Sequence, residues 1–297
     1  MKLRSLLFVP ADSERKLSKS GEVPADALIL DLEDSVAHEN KQVARKLAGE
    51  FLSEHTESRD KQLWVRINPV DDPAALEDLA GIMHGRPDGI VQPKTRSPDD
   101  VLLLGQYLEN FESGLGFEPG STRILPVSTE TPGAIFSLGE YARCGQRLAG
   151  LTWGAEDLGT AVGALANKDS NGNWTSPFQL ARNLCLFAAH AAGVAAIDTI
   201  FADFRDPEGL RASCDEARRD GFSGKLAIHP DQVAVINSAF TPGEEEIIRA
   251  RRIVELFAAN PGVAALSLDG VMLDIPHLKQ ARNILAMAAD AAGCGDT

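Results

Sequence analysis

Short apolar runs alternate with longer amphipathic stretches through most of this 297-residue chain. A short apolar run suits a buried strand, and a longer amphipathic stretch suits a helix that covers it. Strand-then-helix order, repeated with short connections, is typical of a parallel sheet. Eight runs are interpreted as strands, at residues 3–8, 27–32, 63–67, 89–91, 123–127, 148–153, 196–201 and 225–228.

Helical patterns fill the intervals, and several open at a proline or at an N-capping side chain. Eight repeats predict an α/β fold, a closed (β/α)8 TIM barrel over residues 1–240, with a seven-stranded sheet as the alternative. A long helix, a short extended piece at 267–273 and a last helix follow. We therefore predict a C-terminal helical extension over residues 241–297, which covers the barrel, mediates oligomerisation or contributes to a neighbouring active site. The helical patterns are residues 40–53, 74–84, 98–111, 133–142, 176–192, 206–220, 231–238, 243–259 and 276–291.

Composition excludes several classes of function. The formal charge is −14 and the basic residues are dispersed, which argues against nucleic acid as a partner. No stretch approaches the roughly 20 apolar residues of a membrane span, so we expect a cytoplasmic protein without a membrane partner. The four cysteines form no CxxC pair, which predicts neither a zinc site nor a disulfide framework. These cysteines are Cys144, Cys185, Cys214 and Cys294.

Carboxylates follow two consecutive strand candidates. Glu130 comes after the fifth run, and Glu156 and Asp157 come after the sixth. Side chains just past the carboxyl ends of barrel strands converge on one pocket, where two hard oxygen ligands can hold Mg²⁺ and leave positions open for substrate. We assign Glu130 and Asp157 as metal ligands, since only one of two adjacent acids is expected to face the ion. The pocket is short of histidine and has no Cys-His or Ser-His-Asp set, which favours a metal over nucleophilic catalysis.

Two cations accompany these acids. Arg66 lies inside an apolar run, so it must face a polar pocket or be paired; its guanidinium suits a carboxylate or a developing enolate oxygen. The alternative is a structural ion pair with Asp31 or Glu33, and both roles can coexist. Lys94 follows the fourth run and is interpreted as an anion-binding cation rather than a Schiff-base nucleophile.

Eight motifs in a fixed order make the chain similar to the citrate lyase beta-subunit-like proteins of the HpcH/HpaI aldolase superfamily, which include malyl-CoA and citramalyl-CoA lyases. Each motif alone is weak, and their order along nearly the whole chain is the specific signal. The motifs are RSLLFVP at 4–10, LDLEDSV at 30–36, VRIN at 65–68, QPK at 92–94, ETPG at 130–133, GAEDLG at 154–159, GKLAIHP at 224–230 and DGVMLDIP at 269–276.

This resemblance implies roles for seven residues. It places Mg²⁺ on Glu130 and Asp157, and Arg66 at the thioester or enolate oxygen. Asp274 becomes the general acid/base, supplied by a neighbouring subunit of a homo-oligomer, a homotrimer or hexamer. The CoA end of the substrate is expected near Phe8 and Arg15, with Lys94 as a further contact.

The activity implied by the resemblance is a Mg²⁺-dependent carbon–carbon lyase. It would cleave or form a 3-hydroxyacyl-CoA thioester such as citramalyl-CoA, malyl-CoA or citryl-CoA, with acetyl-CoA and a small 2-oxo acid (pyruvate, glyoxylate or oxaloacetate) as the other partners. Thioester hydrolysis, malate synthase-like condensation and aldolase action on free oxo acids are the enzymatic alternatives. A non-catalytic CoA-binding subunit is the alternative from another class.

Overall fold

The computed structural model describes residues 3–56 and 60–292. These residues form two compact units. The first spans Leu3–Asn237, and the second begins at Ser238. The first unit holds the predicted strand-helix repeats, and the second holds most of the predicted C-terminal extension.

Eight parallel strands form one sheet in the order β5-β4-β3-β2-β1-β8-β7-β6. Two single bridges, Ile124 to Leu148 and Val127 to Thr152, bring β6 against β5 and nearly close the barrel. The predicted TIM barrel is therefore confirmed, with strand bounds that differ from the predicted ones by up to three residues. The strands are β1 (Ser5–Pro10), β2 (Ala27–Asp31), β3 (Gln62–Arg66), β4 (Gly89–Gln92), β5 (Arg123–Pro126), β6 (Gly150–Thr152), β7 (Ala195–Asp198) and β8 (Gly224–Ala227).

The barrel interior is packed with apolar side chains from seven of the eight strands and from Ala149, just before β6, and Trp64 is the largest of them. Trp64 lies opposite Gly89 in the register of β3 and β4. A Cβ atom added to Gly89 would overlap the Trp64 ring, so glycine is needed there for the indole to fit. Below the carboxyl ends of its strands the barrel is thus a filled core, which leaves those ends as the place for a site.

Helices follow the strands on the outside of the barrel. Two of them, α1 and α5, were not predicted, because α1 buries only Leu17 and Ser20 and α5 has eight residues, too few for a clear helical period. The predicted helix at 133–142 is instead a 3-10 segment, Ala134–Arg147, interrupted at Gly145. The barrel helices are α1 (Glu14–Ser20), α2 (Lys41–Glu54), α3 (Ala74–Ile82), α4 (Pro98–Leu115), α5 (Ala155–Val162), α6 (Ser176–Ala192), α7 (Pro207–Asp220) and α8 (Pro230–Ala239), which crosses into the second unit.

The C-terminal unit contains α9 (Glu244–Ala259), the strands β9 (Ala265–Leu268) and β10 (Val271–Asp274), and α10 (Ile275–Ala292). The single extended piece predicted at 267–273 is in fact an antiparallel hairpin. Asp269 and Gly270 both have positive φ, at 53° and 80°, as a two-residue type I′ turn requires. Ala250, Phe257, Leu273 and other apolar residues form the core of this unit.

Cys144, Cys185 and Cys214 are free and buried, while Cys294 lies outside the described residues. Burial raises the pKa of the Cys185 and Cys214 thiols to about 12, which suits inert core residues. Among the helices of residues 3–56 and 60–292, none combines the length and apolar character that a membrane crossing requires.

Candidate active site

Arg66 and Asp31 end two neighbouring strands and lie opposite each other in the β2–β3 register. Arg66 Nε donates to Asp31 Oδ1 at 2.7 Å and Nη2 donates to Oδ2 at 2.6 Å, a bidentate pair. Burial alone would raise the pKa of Asp31, but the hydrogen bond and charge of Arg66 hold it below the usual value. The predicted ion pair exists, and it fixes the plane of the guanidinium.

Two further contacts hold Arg66. Its Nη1 lies 2.9 Å from Glu33 Oε2, and its guanidinium carbon lies 4.7 Å from the centre of the Phe8 ring. Burial would lower the pKa of Arg66, but the carboxylates of Asp31, Glu33 and Glu130 raise it above its ordinary value. The side chain is therefore a fixed cation, and 15% of it remains exposed at the carboxyl ends of the strands.

Glu130 is buried in the loop after β5, with 5% of its surface exposed. Burial raises its pKa to about 8; the Lys94 N–H, which donates to Oε2, opposes this, and the nearby charges of Asp157 and Glu33 add to it. Residue 154 must be small here, because a Cβ at Gly154 would lie 2.6 Å from Glu130 Cγ. Glu130 is thus a carboxyl group that lacks a sufficient positive partner.

Asp157 lies in the first turn of α5, directly after β6, and 37% of its side chain is exposed. It is close enough to Glu130 for its charge to raise the Glu130 pKa. Two hard oxygen donors, one buried and one open to solvent, fit Mg²⁺, which takes one or two protein carboxylates and completes its shell with water and substrate. Residues 3–56 and 60–292 contain no group of three or more His, Cys, Asp or Glu side chains arranged to hold a metal by themselves.

Lys94 has a positive φ of 49°, a conformation uncommon for a residue with a side chain. This turn directs its N–H to Glu130 while its Nζ contacts Glu33 and lies 2.9 Å from Asp34 and 3.7 Å from Asp157. Burial would lower the pKa of Lys94, but the hydrogen bonds to Glu33 and Asp34 raise it overall. A Schiff-base lysine needs a neutral amine, so this environment favours the charge-binding interpretation.

Sequence reasoning did not pair Lys94 with Glu33 and Asp34. The available signal was that the LEDS and QPK segments follow strands β2 and β4, so that both reach the same end of the barrel.

The three residues predicted to contact CoA lie in different environments. Phe8 packs on Arg66 inside the barrel, and Lys94 contacts the acids around the candidate metal site. Arg15 is exposed in the first turn of α1, which follows β1 at the same end of the barrel. Contacts of these three residues with CoA stay a prediction.

Asp274 ends β10 in the C-terminal unit, immediately before α10. Its Oδ1 lies 2.5 Å from Nδ1 of His277, a residue that sequence reasoning missed although an Asp-x-x-His spacing at the start of a helix was visible. The hydrogen bond from His277 lowers the pKa of Asp274. Its assignment as an acid/base from a neighbouring subunit stays a prediction.

Comparison with known proteins decides the family. The model of the HpcH/HpaI aldolase/citrate lyase family matches residues 4–230. The chain belongs to the HpcH/HpaI aldolase/citrate lyase family. A second family model, described as carbon–carbon bond lyases of the TIM-barrel fold, matches residues 183–291. The family predicted from the eight motifs is confirmed, and with it the class of enzyme, a carbon–carbon lyase.

Two relatives and one solved structure illustrate the similarity. The citrate lyase subunit beta of Escherichia coli K12 is 36% identical over 96% of this chain and 93% of its own length. The mitochondrial citramalyl-CoA lyase of Rattus norvegicus is 33% identical over 96% of this chain and 86% of its own. The crystal structure of CitE from Mycobacterium tuberculosis in complex with magnesium, acetoacetate and coenzyme A is 29% identical with a TM-score of 0.77, over 96% of this chain and 98% of that one.

Proposed function

We propose that this protein is a Mg²⁺-dependent lyase that cleaves or forms a 3-hydroxyacyl-CoA thioester, with acetyl-CoA and a 2-oxo acid as the second pair of partners. The observation that carries the proposal is the placement of a fixed cation, Arg66, at the same end of the barrel as the carboxylates of Glu130 and Asp157. The names of the relatives and the ligands of the similar CitE structure support this assignment.

Glu130 and Asp157 would hold the metal, which when bound supplies a Lewis acid for the hydroxyl and carboxylate oxygens of the substrate. The reaction also requires a positive charge at the thioester oxygen, where the enolate develops, and Arg66 would supply it. Because Asp31, Glu33 and Phe8 already hold the guanidinium, little reorganisation accompanies that charge development.

Asp274 would move the proton at the α-carbon of the thioester. Its lowered pKa makes it a carboxylate at neutral pH, the form that removes a proton from acetyl-CoA in the condensation direction. In cleavage the substrate hydroxyl loses a proton and the protonated form of Asp274 gives one to the enolate carbon, so that no net proton is consumed. We place this residue in the site of a neighbouring subunit, within a homotrimer or hexamer.

The CoA part of the substrate is assigned to the end of the barrel near α1. Arg15 is an exposed cation there and suits a phosphate group of CoA. Phe8 packs against the guanidinium of Arg66, the group assigned to the thioester oxygen. Lys94, which contacts the acids around the candidate metal site, is assigned as a further contact of the CoA thioester.

A substrate screen tests the proposal. Malyl-, citramalyl-, β-methylmalyl- and citryl-CoA are each incubated with the protein and Mg²⁺, and the products are identified by mass spectrometry. We expect a shorter acyl-CoA and a 2-oxo acid from at least one of them. Free CoA with an intact hydroxy acid would instead identify a thioesterase and overturn the lyase assignment.

Variants connect that activity to the site. Glu130→Gln and Asp157→Asn should abolish turnover. Glu156→Gln is the matched control, because Glu156 accepts a hydrogen bond from Asn167 at 2.8 Å and is not among the charges that shift the pKa of Glu130. Acetyl-CoA binding without turnover, unaffected by changes at Glu130 and Asp157, would indicate a non-catalytic subunit. A parallel assay with a thioester on an acyl-carrier protein tests whether the donor is CoA or a carrier.

A further inference from the structure

Asp274 and His277 form a close pair at the start of α10. His277 Nδ1 lies 2.5 Å from Asp274 Oδ1, and the His277 N–H lies 3.5 Å from the same oxygen. Both side chains are a little over 40% exposed, and no contact described for Asp274 involves Oδ2. One carboxylate oxygen is therefore engaged by His277, and the exposed side chain leaves Oδ2 for a further contact.

The local sequence explains this arrangement. Asp274 and His277 are three residues apart, a spacing that places their side chains on the same side of the first turn. Leu273 and Leu278, each beside one member of the pair, are buried in the core of the C-terminal unit, with 1% and 8% of their surfaces exposed. These two leucines anchor the backbone on either side, so the pair is held by packing as well as by its own hydrogen bond.

The distance fixes where a proton must lie. A ring nitrogen and a carboxylate oxygen approach to 2.5 Å only with a proton between them. Asp274 is ionised at neutral pH, so that proton belongs to Nδ1. The Asp274 backbone N–H lies 3.2 Å from Nδ1 and could donate to it only in the other tautomer, with the proton on Nε2. The much shorter approach of Oδ1 to Nδ1 favours the Nδ1–H tautomer.

We propose that His277 is a positioning residue for Asp274: its Nδ1–H binds Oδ1, orients the carboxylate and leaves Oδ2 free to exchange a proton with the α-carbon of the thioester. This inference rests on the proposed function, since it deepens the role of Asp274 in that reaction. In condensation, Oδ2 takes the proton and the C–H electron pair passes to the thioester enolate. In cleavage the step runs in reverse: the protonated carboxyl group gives its Oδ2 proton to the enolate carbon, whose electron pair forms the C–H bond, and His277 keeps its own proton throughout.

The other charged groups of the elements around the pair do not replace His277. Arg252 on α9 is engaged by Asp269 at 2.9 Å, and Arg249 also acts on Asp269. Lys279 and Arg282 lie on α10 itself. Within residues 238–292, the ion pairs described for Asp274 involve His277 alone.

Exchange of the acetyl-CoA methyl protons with D₂O, followed by mass spectrometry, isolates the proton-transfer step in the full-length enzyme with Mg²⁺. We expect His277→Leu to lower kcat for exchange at least tenfold, or about 1.4 kcal/mol, with KM for acetyl-CoA within twofold of wild type. His277→Asn should recover most of the loss, because its side-chain amide can donate to Oδ1. His84→Leu, an exposed histidine that precedes β4 at the opposite end of the barrel, is the matched control.

A double-mutant cycle separates positioning from folding. Adding His277→Leu to Asp274→Asn should cost nothing further, because the group that His277 positions is already lost. An equal loss in both backgrounds, or a His277→Leu enzyme with wild-type exchange, overturns the proposal.

The ring tautomer gives a readout that needs no activity. In ¹⁵N NMR spectra we expect His277 to carry its proton on Nδ1 in the wild type and to lose this preference in Asp274→Asn. A His277 ring protonated on Nε2 alone in the wild type overturns the proposal, even in an active lyase. Absence of both lyase and exchange activity in the wild type would overturn the proposed function instead, and the positioning role with it.

Discussion

Replacing Gly154 with alanine places a methyl group against the candidate metal ligand Glu130. The backbone at residue 154 has ordinary extended angles, φ −119° and ψ 119°, so alanine is tolerated there by the main chain. The new Cβ would lie 2.6 Å from Glu130 Cγ and 3.2 Å from Val127 Cγ1. Ordinary van der Waals contact begins near 3.4 Å, so the Glu130 side chain has to move by about 0.8 Å.

A displacement of that size acts on chemistry more than on stability. A misplacement of about 1 Å costs on the order of 10²-fold in rate, which is about 2.7 kcal/mol, and overpacking itself costs roughly 1–3 kcal/mol of stability. We therefore expect kcat/KM to fall about 100-fold and Mg²⁺ affinity, measured by calorimetry, to fall with it. Gly133→Ala is the matched control, because no atom lies within 4 Å of its added Cβ. A Gly154→Ala enzyme with wild-type metal affinity and turnover would refute the reasoning.

Three further substitutions test the charges in the barrel. Arg66→Lys keeps a cation but loses the bidentate contact with Asp31, so steady-state kcat should fall about 10²- to 10³-fold; an unchanged kcat would count against an enolate-binding role. Lys94→Met removes a positive charge beside Asp157. At pH 8.5, above the raised pKa of Glu130, calorimetry should show that the variant binds Mg²⁺ about tenfold more tightly; weaker binding would contradict this. Lys225 is 1% exposed, and its Nζ lies 2.5 Å from Asp198 Oδ2. Asp198→Asn removes this counter-charge and should lower the free energy of unfolding, measured in urea, by about 3–5 kcal/mol. Because the pKa of Asp198 is lowered in the folded protein, its ionised form contributes fully to the free energy of unfolding above about pH 4. This contribution is lost as the pH falls through the folded pKa. A variant whose unfolding free energy depends on acid pH as in the wild type would argue against this assignment.

The fold was predictable because a parallel barrel repeats one physical pattern eight times. Apolar runs mark the buried strands, and each strand end brings its polar residues to the same rim, which is why Arg66, Glu130 and Asp157 could be grouped from the sequence alone. Helix α1 could not be found this way, because it has almost no buried face. The β9–β10 hairpin was missed although its Asp269-Gly270 pair is a strong turn signal.

The details of the site depend on features that a sequence pattern does not encode. Lys94 reaches both Glu33 and Glu130 only because its backbone adopts a left-handed turn, and lysine gives no signal for that conformation. The raised pKa of Glu130 arises from tertiary burial. His277 was overlooked because its partner was assigned by resemblance, and a family motif draws no attention to residues outside it.

The seam between β5 and β6 has a consequence for how the barrel responds to its ligand. Every other neighbouring pair of barrel strands is joined by a continuous ladder, whereas β5 and β6 meet through two single bridges. Glu130 and Asp157 follow the two strands on either side of this seam. An ion held by both carboxylates would link these two strands where the barrel has the fewest backbone hydrogen bonds. We therefore expect amide hydrogen exchange in β5 and β6 to slow more than in the rest of the barrel when the metal site is filled.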